Sequence, residues 1–224
     1  MYREELLLRL SEAIANGRSP GPRKIAIDGI DGAGKTVLAD DLVPYVQERG
    51  ASVIRASLDA FHRPAAERYR RGRDSPEGFY RDSFDYEKLR ALLLDPLSPK
   101  GDREYCTAAF DWRNDSDIKV VKRLADSNSI LIFDGIFAQR RELLGLWDFC
   151  VFLDVTFDEA LRRSKIRDRR TNQSLQQLEN RFWARYAAGQ RLYFSDAAPR
   201  ERAQVLIDNN DFEKPRVVRW RPPR

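Results

Sequence analysis

The chain has 224 residues, a net charge of +5 and a hydrophobic fraction of 42%. This length suits one α/β domain, 1–224, with a substantial core, and no apolar run approaches the ~20 residues of a membrane span. The N-terminus is charged and helix-like rather than a secretory signal, so we expect a cytoplasmic protein without a membrane partner. Cys106 and Cys150 lie far apart and form no C-x-x-C pattern, which favours buried free thiols over a disulfide or a metal site.

The excess of positive charge is compatible with a nucleic-acid partner but does not require one. The positive residues are interleaved with acidic ones, and an enzyme for anionic nucleotides also needs positive charge around its phosphates. We therefore attribute the charge to phosphate binding and to solvated helix faces, and we expect no stable nucleic-acid partner. The sequence leaves the oligomeric state open, including a homo-oligomer.

Apolar periodicity predicts helices and strands in alternation along the chain. Residues 3–15 carry Leu6, Leu7, Leu10 and Ile14 on one stripe, which predicts an amphipathic helix. Short apolar runs predict core strands at 24–28, 52–58, 129–133, 147–155 and 204–207. Other predicted elements are helices after the first strand and over 65–73, 84–94, 156–170 and 175–187, and a loop over 74–83. This alternation predicts an α/β fold with a doubly wound, mostly parallel sheet.

Three segments stand apart from the alternating pattern. Residues 59–123 are predicted to form an insertion on the acceptor side, with a small hairpin whose arms are 104–112 and 118–123. Residues 160–175 are arginine-rich and are predicted to form a lid. The last residues, 214–224, are predicted to be a basic, peripheral tail.

Residues 29–36, Gly-Ile-Asp-Gly-Ala-Gly-Lys-Thr, fit the phosphate-binding pattern G-x-x-x-x-G-K-[ST] between a predicted strand and a predicted helix. Backbone N–H groups can wrap a polyphosphate only where the chain turns without a Cβ in the way, which glycine permits. The helix that begins near Gly34 adds unpaired N–H groups and its positive dipole end. Lys35 can reach the β- and γ-phosphates, and the Thr36 hydroxyl can bind Mg²⁺. The residues predicted to bind ATP, or another nucleoside triphosphate, are Gly29, Asp31, Gly32, Ala33, Gly34, Lys35 and Thr36.

Two carboxylates and two arginines complete the predicted chemistry. Asp59 and Asp134 each follow a predicted strand, and ligands of open α/β sheets sit outside the carboxyl ends of strands. Asp59 is predicted to take the proton of an acceptor hydroxyl, and Asp134 to help bind Mg²⁺. Arg163 and Arg167, on one helix face, are predicted to clamp the transferring phosphate, so that Lys35, Asp59 and these arginines form the catalytic set. Turn-forming aspartates and a solvated basic helix face remain the alternatives.

The acceptor side depends on less specific patterns. The residues predicted to contact the acceptor are Asp59, Phe61, His62, Tyr80, Asp111 and Trp112. His62 is the only histidine, and no Ser or Cys pattern accompanies it, so a hydrolytic triad is unsupported. A surface position for His62, and core or hairpin packing for Tyr80 and Trp112, stay open. The chain has no Asn-Lys pair for guanine recognition by a GTPase, and its glycine spacing does not fit dinucleotide binding.

Over about 24–209, these motifs resemble those of the uridine kinase / phosphoribulokinase family of P-loop kinases. Asp59-Ala60-Phe61-His62 resembles the family's Asp-x-Phe-Tyr motif, which carries the catalytic carboxylate of the family onto Asp59. Other matching segments are Phe110-Asp111-Trp112, Asp134-Gly135-Ile136, the arginine-rich run 162–168, Tyr193 and Ile207-Asp208-Asn209. The resemblance implies a P-loop fold like that of the nucleoside monophosphate kinases, with ATP and Mg²⁺ as cofactors. Residues 78–85 do not match the Phe-Asp-His-Pro stretch of nucleoside-specific members, which leaves the acceptor open.

We therefore predict an ATP- and Mg²⁺-dependent phosphotransferase that moves the γ-phosphate to a hydroxyl of a small molecule. A nucleoside such as uridine or cytidine is the first candidate acceptor, and pantothenate or a sugar is the alternative. A basic P-loop protein that binds nucleic acid and hydrolyses ATP only when bound is the alternative from a different class. A binding module without catalysis is disfavoured by the intact Lys35, Thr36 and Asp59.

Overall fold

The computed structural model describes residues 1–17, 19–167 and 174–221. Its strands are β1 (Arg23–Gly29), β2 (Val53–Ser57), β3 (Glu104–Tyr105), β4 (Phe110–Asp111), β5 (Ser116–Asp117), β6 (Arg123–Leu124), β7 (Ile130–Asp134), β8 (Phe149–Asp154), β9 (Val205–Asp208) and β10 (Arg216–Trp220). Its α-helices are α1 (Arg3–Asn16), α2 (Lys35–Gln47), α3 (Ala65–Arg68), α4 (Pro76–Asp82), α5 (Tyr86–Leu89), α6 (Phe157–Arg167), α7 (Leu175–Arg181), α8 (Ala188–Ala197) and α9 (Pro199–Arg202). The segments Leu58–Phe61 and Arg141–Leu143 form 3₁₀ turns, and Arg90–Leu94 and Phe182–Ala187 are π-helical.

The central sheet has the strand order β10-β9-β8-β1-β7-β2 within the described residues. β1 pairs in parallel with β7 and β8, β2 with β7, and β8 with β9, whereas β10 runs antiparallel to β9. The prediction of an α/β fold with a doubly wound, mostly parallel sheet is confirmed. The core strands predicted from apolar runs all occur, with ends within two residues of the predicted ones. Because β1 lies between β7 and β8, the loop after it is flanked by the carboxyl ends of both.

Each face of the sheet is covered by its own layer of apolar side chains. Ala26 of β1 belongs to one layer, and Ile25 and Ile27 belong to the other, as side-chain alternation along a strand requires. The predicted stripe of α1 is buried in this second layer, through Leu6, Leu7, Leu10 and Ile14. Among the described residues, no helix is both long enough and apolar enough to cross a bilayer. Cys106 and Cys150 are buried free thiols, as predicted.

The predicted loop at 74–83 is wrong, because it contains the helix α4. Ser75 caps this helix, since its Oγ accepts a hydrogen bond from Gly78 N at 3.0 Å, and Pro76 occupies the first turn. Both are helix-start signals that the sequence carries. The helix predicted at 65–73 is shorter than expected, with α3 covering only its first part.

The predicted peripheral tail is wrong over its described part, which forms the edge strand β10. Trp220 packs against the second apolar layer, and the guanidinium of Arg9 lies 4.3 Å from its ring centroid. Edge strands expose charged side chains, so the composition of β10 resembles that of a solvated tail.

The predicted hairpin is present in interrupted form. β3 pairs antiparallel with β6, and β4 pairs antiparallel with β5, each through two residue pairs. Asp115, in the turn after β4, accepts hydrogen bonds from Ala65 N and Arg68 Nη2, both at 2.8 Å. These bonds tie the hairpin to α3, next to the turn that carries Asp59.

Candidate active site

The predicted phosphate loop connects β1, in the middle of the sheet, to α2. Gly32 has a φ of +79°, and Gly34, the N-cap residue of α2, has a φ of +93°, a region that other residues rarely adopt. A Cβ at Gly32 would lie 2.9 Å from the carbonyl oxygen of Ala160 in α6. The loop can therefore turn tightly and approach α6 because these positions are glycine.

α8 supports the loop from behind, a feature that sequence analysis missed. Gln190 Oε1 accepts a hydrogen bond from Asp31 N at 2.7 Å, and the Tyr193 hydroxyl donates to the carboxylate of Asp28. Gly29 N donates to the same carboxylate at 2.7 Å. Burial raises the pKa of Asp28, against the hydrogen bonds that it accepts. The supports come from distant parts of the chain, so no local pattern could reveal them.

Lys35 and Thr36 point in different directions from the start of α2. Lys35 Nζ donates to Ile30 O at 2.8 Å, so the side chain folds over the loop. Thr36 Oγ1 donates to Asp134 Oδ2 at 2.7 Å. Asp134 ends β7 and is paired in register with Ile27 of β1, which explains why its carboxylate reaches the first turn of α2.

Thr36 and Asp134 offer the oxygen ligands that suit Mg²⁺. This ion is usually bound through one or two protein carboxylates together with phosphate and water oxygens. Arg55 of β2, which sequence analysis missed, places Nη2 2.6 Å from Asp134 Oδ1 and Nε 2.8 Å from Asp40 Oδ1, so it orients the carboxylate. Within the described ranges, no three His, Cys, Asp or Glu side chains gather into a metal cluster. The donor set therefore fits a metal ion that arrives with a nucleotide.

Asp59 lies in the 3₁₀ turn after β2 and lines the same crevice as Lys35, Asp134 and Arg167. The crevice has a volume of about 340 Å³. The Asp59 side chain keeps access to solvent, yet the crevice walls surround it. The crevice walls displace part of the water around the carboxylate, and this desolvation raises the pKa of Asp59. Lys35 opposes the shift, and the carboxylates of Asp134 and Asp31 add to it. The structure thus brings the phosphate loop and both predicted carboxylates to one place.

The arginines of α6 reach the loop but are engaged there. Arg163 donates to Asn209 O at 2.7 Å and to Gly32 O at 3.3 Å, while its Nε pairs with Glu159. Arg167 forms an ion pair with Asp31 of the loop at 3.1 Å. Both arginines line the crevice. Residues 168–173 of the predicted lid, which include Asp168 of the arginine-rich motif, lie outside the described residues.

A second hollow adjoins the crevice on the other side of the loop. It has a volume of about 620 Å³ and shares Gly32, Gly34, Val37 and Arg163 with the crevice. Its remaining wall is formed by Glu159, Arg162 and the segment 210–213 that follows β9. Sequence analysis missed this hollow, although the Asn209-Asn210 pair at the carboxyl end of a strand is a signal for it.

The residues predicted on the acceptor side are not all at the crevice. Phe61 is fully buried, and Tyr80, 1% exposed, donates its hydroxyl hydrogen to Asp196 Oδ2 at 2.7 Å, so both rings build the core instead. Asp111 caps its own turn and accepts from Arg113 N at 2.9 Å and from the side chain of Asn114.

His62 and the half-exposed Trp112 remain beside Asp59. The ring centroids of His62 and Trp112 are 5.9 Å apart, and Trp112 is 43% exposed. His62 Nδ1 lies 2.8 Å from Asp59 O. These two rings are thus the predicted acceptor contacts that stand next to the turn with the carboxylate.

Known proteins resemble this chain in sequence and in fold. The search against protein-family models gave no match. The chain is 26% identical over 152 residues to a uridine kinase of Leuconostoc citreum, which covers 66% of this chain and 69% of that protein. A possible uridine kinase from Bacillus stearothermophilus superposes with a TM-score of 0.71 at 26% identity, over 91% of this chain and 97% of that one. A putative fructose transport system kinase from Silicibacter sp. TM1040 gives a TM-score of 0.71 at 20% identity, over 85% and 95% of the two chains, and shows likeness of fold alone.

Proposed function

We propose that this chain, a uridine kinase-like P-loop kinase by its motifs and its relatives, moves the γ-phosphate of ATP to a hydroxyl of a small molecule with the help of Mg²⁺. The comparisons confirm the resemblance to the uridine kinase / phosphoribulokinase family. The observation that carries the proposal is the shared crevice, in which Asp59 and Asp134 face the phosphate loop with Lys35. Segment 59–123 is proposed as the acceptor side and 160–175 as the lid of a single domain.

ATP, or another nucleoside triphosphate, is proposed to lie along the loop with its nucleoside in the second hollow. The loop and the first turn of α2 offer backbone N–H groups to the phosphates. Lys35 exchanges the carbonyl of Ile30 for phosphate oxygens, since a charged partner gives the stronger hydrogen bond. Arg163 donates hydrogen bonds both to Gly32 O of the loop and to Asn209 O after β9. It therefore holds together the walls of the crevice and of the second hollow.

Thr36 and Asp134 are the residues that would hold Mg²⁺, and the ion would supply charge neutralisation on the phosphates. Arg55 keeps Asp134 oriented for this task through its ion pair. Because Arg55 also pairs with Asp40, the carboxylate cannot turn away from the first turn of α2 without breaking a bridged network.

Asp59 is proposed as the general base. The acceptor hydroxyl gives its proton to the Asp59 carboxylate, its oxygen bonds to the γ-phosphorus, and the bond from that phosphorus to the bridging oxygen breaks to release ADP. Arg163 and Arg167 stabilise the charge that develops on the phosphoryl group. Closure of the lid excludes water, which would otherwise compete as acceptor.

The acceptor is proposed to be a nucleoside such as uridine or cytidine, with pantothenate or a sugar as the alternative. Of the proteins named above, the two at 26% identity are a uridine kinase and a possible uridine kinase, which supports a small alcohol as the acceptor but not one alcohol in particular. We propose that the reaction takes place in the cytoplasm and involves no nucleic acid or membrane.

The test is a screen for ADP release with uridine, cytidine, pantothenate and D-fructose, followed by mass spectrometry of the product. We expect ADP and a phosphorylated alcohol to appear together for at least one compound, and the Lys35→Ala variant to give neither. ADP release that depends on added oligonucleotide, without a phosphorylated alcohol, would instead indicate a nucleic-acid-dependent ATPase. A protein that binds no nucleoside triphosphate would refute the proposal.

A further inference from the structure

The helix α1 and the segment 210–221 lie on either side of the family resemblance, which covers about 24–209. In the structure these two parts contact each other, and Arg3 N at the start of α1 donates a hydrogen bond to Glu213 O at 3.2 Å. The contact therefore lies in parts of the chain about which the resemblance says nothing.

The side chain of Arg3 connects α2 to the segment after β9. Its Nη2 and Nε donate hydrogen bonds to Asp41 Oδ2 of α2, at 2.7 and 3.1 Å. Its guanidinium carbon lies 4.0 Å from the centroid of the Phe212 ring, which is within the range of a cation–π contact. The Arg3 side chain is only 12% exposed, so it is enclosed between these two partners.

Both partners of Arg3 are tied to the second hollow. Phe212 lines the hollow directly. Asp41 follows Val37 by four residues, so the two share one face of α2, and Val37 also lines the hollow. Val37 is 45% exposed, and such apolar surface in the wall of a hollow suits the base or ribose of a bound nucleotide.

The backbone around Phe212 is held by its own turn, whereas the ring depends on Arg3. Asp211 Oδ1 accepts hydrogen bonds from Glu213 N and Lys214 N, both at 3.0 Å. In the part of the chain that the structure describes, Phe212 belongs to neither apolar layer, and Arg3 is the cation over its ring. Loss of the Arg3 side chain therefore frees the ring without undoing the turn.

We propose that Arg3 is a positioning residue for the donor nucleotide: it holds the Phe212 ring so that the nucleoside of ATP packs against this ring in the second hollow. The inference rests on the proposed function, which assigns the nucleoside to that hollow. Arg3 itself lines neither the crevice nor the hollow, and Asp41 takes two of its N–H groups. Arg3 thus acts through the ring and does not bind phosphate.

The first test separates the nucleoside from the phosphates by titration with Mg–ATP and with inorganic tripolyphosphate in the presence of Mg²⁺. We expect Arg3→Ala to bind ATP about fivefold or more weakly and to bind tripolyphosphate like the wild type. Arg9→Ala is the matched control, since Arg9 also lies on α1 and covers an aromatic ring, that of Trp220, but neither residue lines the crevice or the hollow. We expect both variants to lose some stability in urea and only Arg3→Ala to lose ATP affinity.

The second test asks whether Arg3 acts through the ring. ATP affinity is measured for Arg3→Ala, for Phe212→Ala and for the double variant. We expect Phe212→Ala to weaken ATP binding and the double variant to bind ATP as Phe212→Ala does, because without the ring Arg3 has nothing to position. Independent, additive losses, or an unchanged affinity in Phe212→Ala, would overturn the inference.

The remaining outcomes distinguish the inference from the function on which it rests. If the wild type binds ATP and phosphorylates an alcohol, but Arg3→Ala binds ATP as Arg9→Ala does, the inference fails while the proposed function stands. The same holds if Arg3→Ala loses ATP and tripolyphosphate affinity equally, since the effect would then lie in the phosphate loop. If the wild type binds neither ligand, the proposed function fails and the inference with it.

Discussion

Replacing Gly32 with alanine should weaken nucleotide binding, whereas the same replacement at Gly50 should leave nucleotide binding unchanged. Gly32 has a φ of +79°, and a Cβ there would lie 2.9 Å from Ala160 O and 3.2 Å from Ala160 Cα. Gly50 provides a matched control, since it has a φ of +82° but no atom within 4 Å of a built Cβ. The two sites thus share backbone strain and differ in what surrounds them.

The shared strain is the cost of placing an L side chain in the left-handed region, about 1–2 kcal/mol. Only at Gly32 must the loop also move by some tenths of an ångström away from the backbone of α6. Such a shift misaligns the N–H groups around the phosphates, and we expect ATP to bind at least about tenfold more weakly, which equals about 1.4 kcal/mol.

Isothermal titration with Mg–ATP and urea denaturation of both variants measure the two effects. We expect both variants to lose stability, Gly32→Ala somewhat more, and only Gly32→Ala to lose affinity. If Gly32→Ala bound ATP as tightly as Gly50→Ala, the loop would not be the phosphate site.

Three further predictions concern the metal, the general base and the glutamate that pairs with two arginines of α6. Thr36→Val should raise the Mg²⁺ concentration for half-maximal activity at least about tenfold, while Thr36→Ser keeps the hydroxyl and stays near the wild type; an equal response of both would remove Thr36 from the metal site. The pH profile of kcat/KM should fall on the acid side at a pH above the usual pKa of an aspartate, because burial raises the pKa of Asp59, and a limb within the usual range would contradict this. Glu159 has its pKa lowered to about 2, first by the hydrogen bond from Arg162 and then by Arg163, so it stabilises the fold above pH 4.5 and loses this effect as the pH falls towards 2. Glu159→Gln should therefore destabilise the protein at pH 7 by up to about 1 kcal/mol in urea denaturation and respond less to acid; unchanged stability at pH 7 would mean that the pair contributes nothing.

The parts of the fold that could be predicted from the sequence are those with a strong local signal. β7 reads as an apolar run that ends in Asp134, because the strand is buried along its whole length, and α1 shows its buried stripe. β10 has no such signal, since none of its residues is fully buried and its place is set by pairing with β9. For α4, the sequence carries the helix-start signals Ser75 and Pro76, but the aromatic residues that follow them also suit a loop.

In the candidate site, too, the parts with a local sequence signal could be predicted, and the parts that depend on distant partners could not. The phosphate loop is a contiguous motif, so its position and its glycine geometry could be predicted. Arg55, Gln190 and the carboxylate of Asp28 act through partners far away in the chain, which spacing cannot reveal. Neither could the sequence tell which way an aromatic ring points: Phe61, two residues from Asp59, faces the core.

In the proposed mechanism, the carboxylate of Asp59 serves phosphoryl transfer and not the binding of the nucleotide. The most direct measurement is single-turnover phosphoryl transfer by Asp59→Asn, with Mg–ATP affinity measured on the same preparation. We predict ATP affinity within about threefold of the wild type and transfer slower by about 10²-fold or more. Transfer at the wild-type rate would leave Asp59 as a residue that only shapes its turn, and would contradict the mechanism.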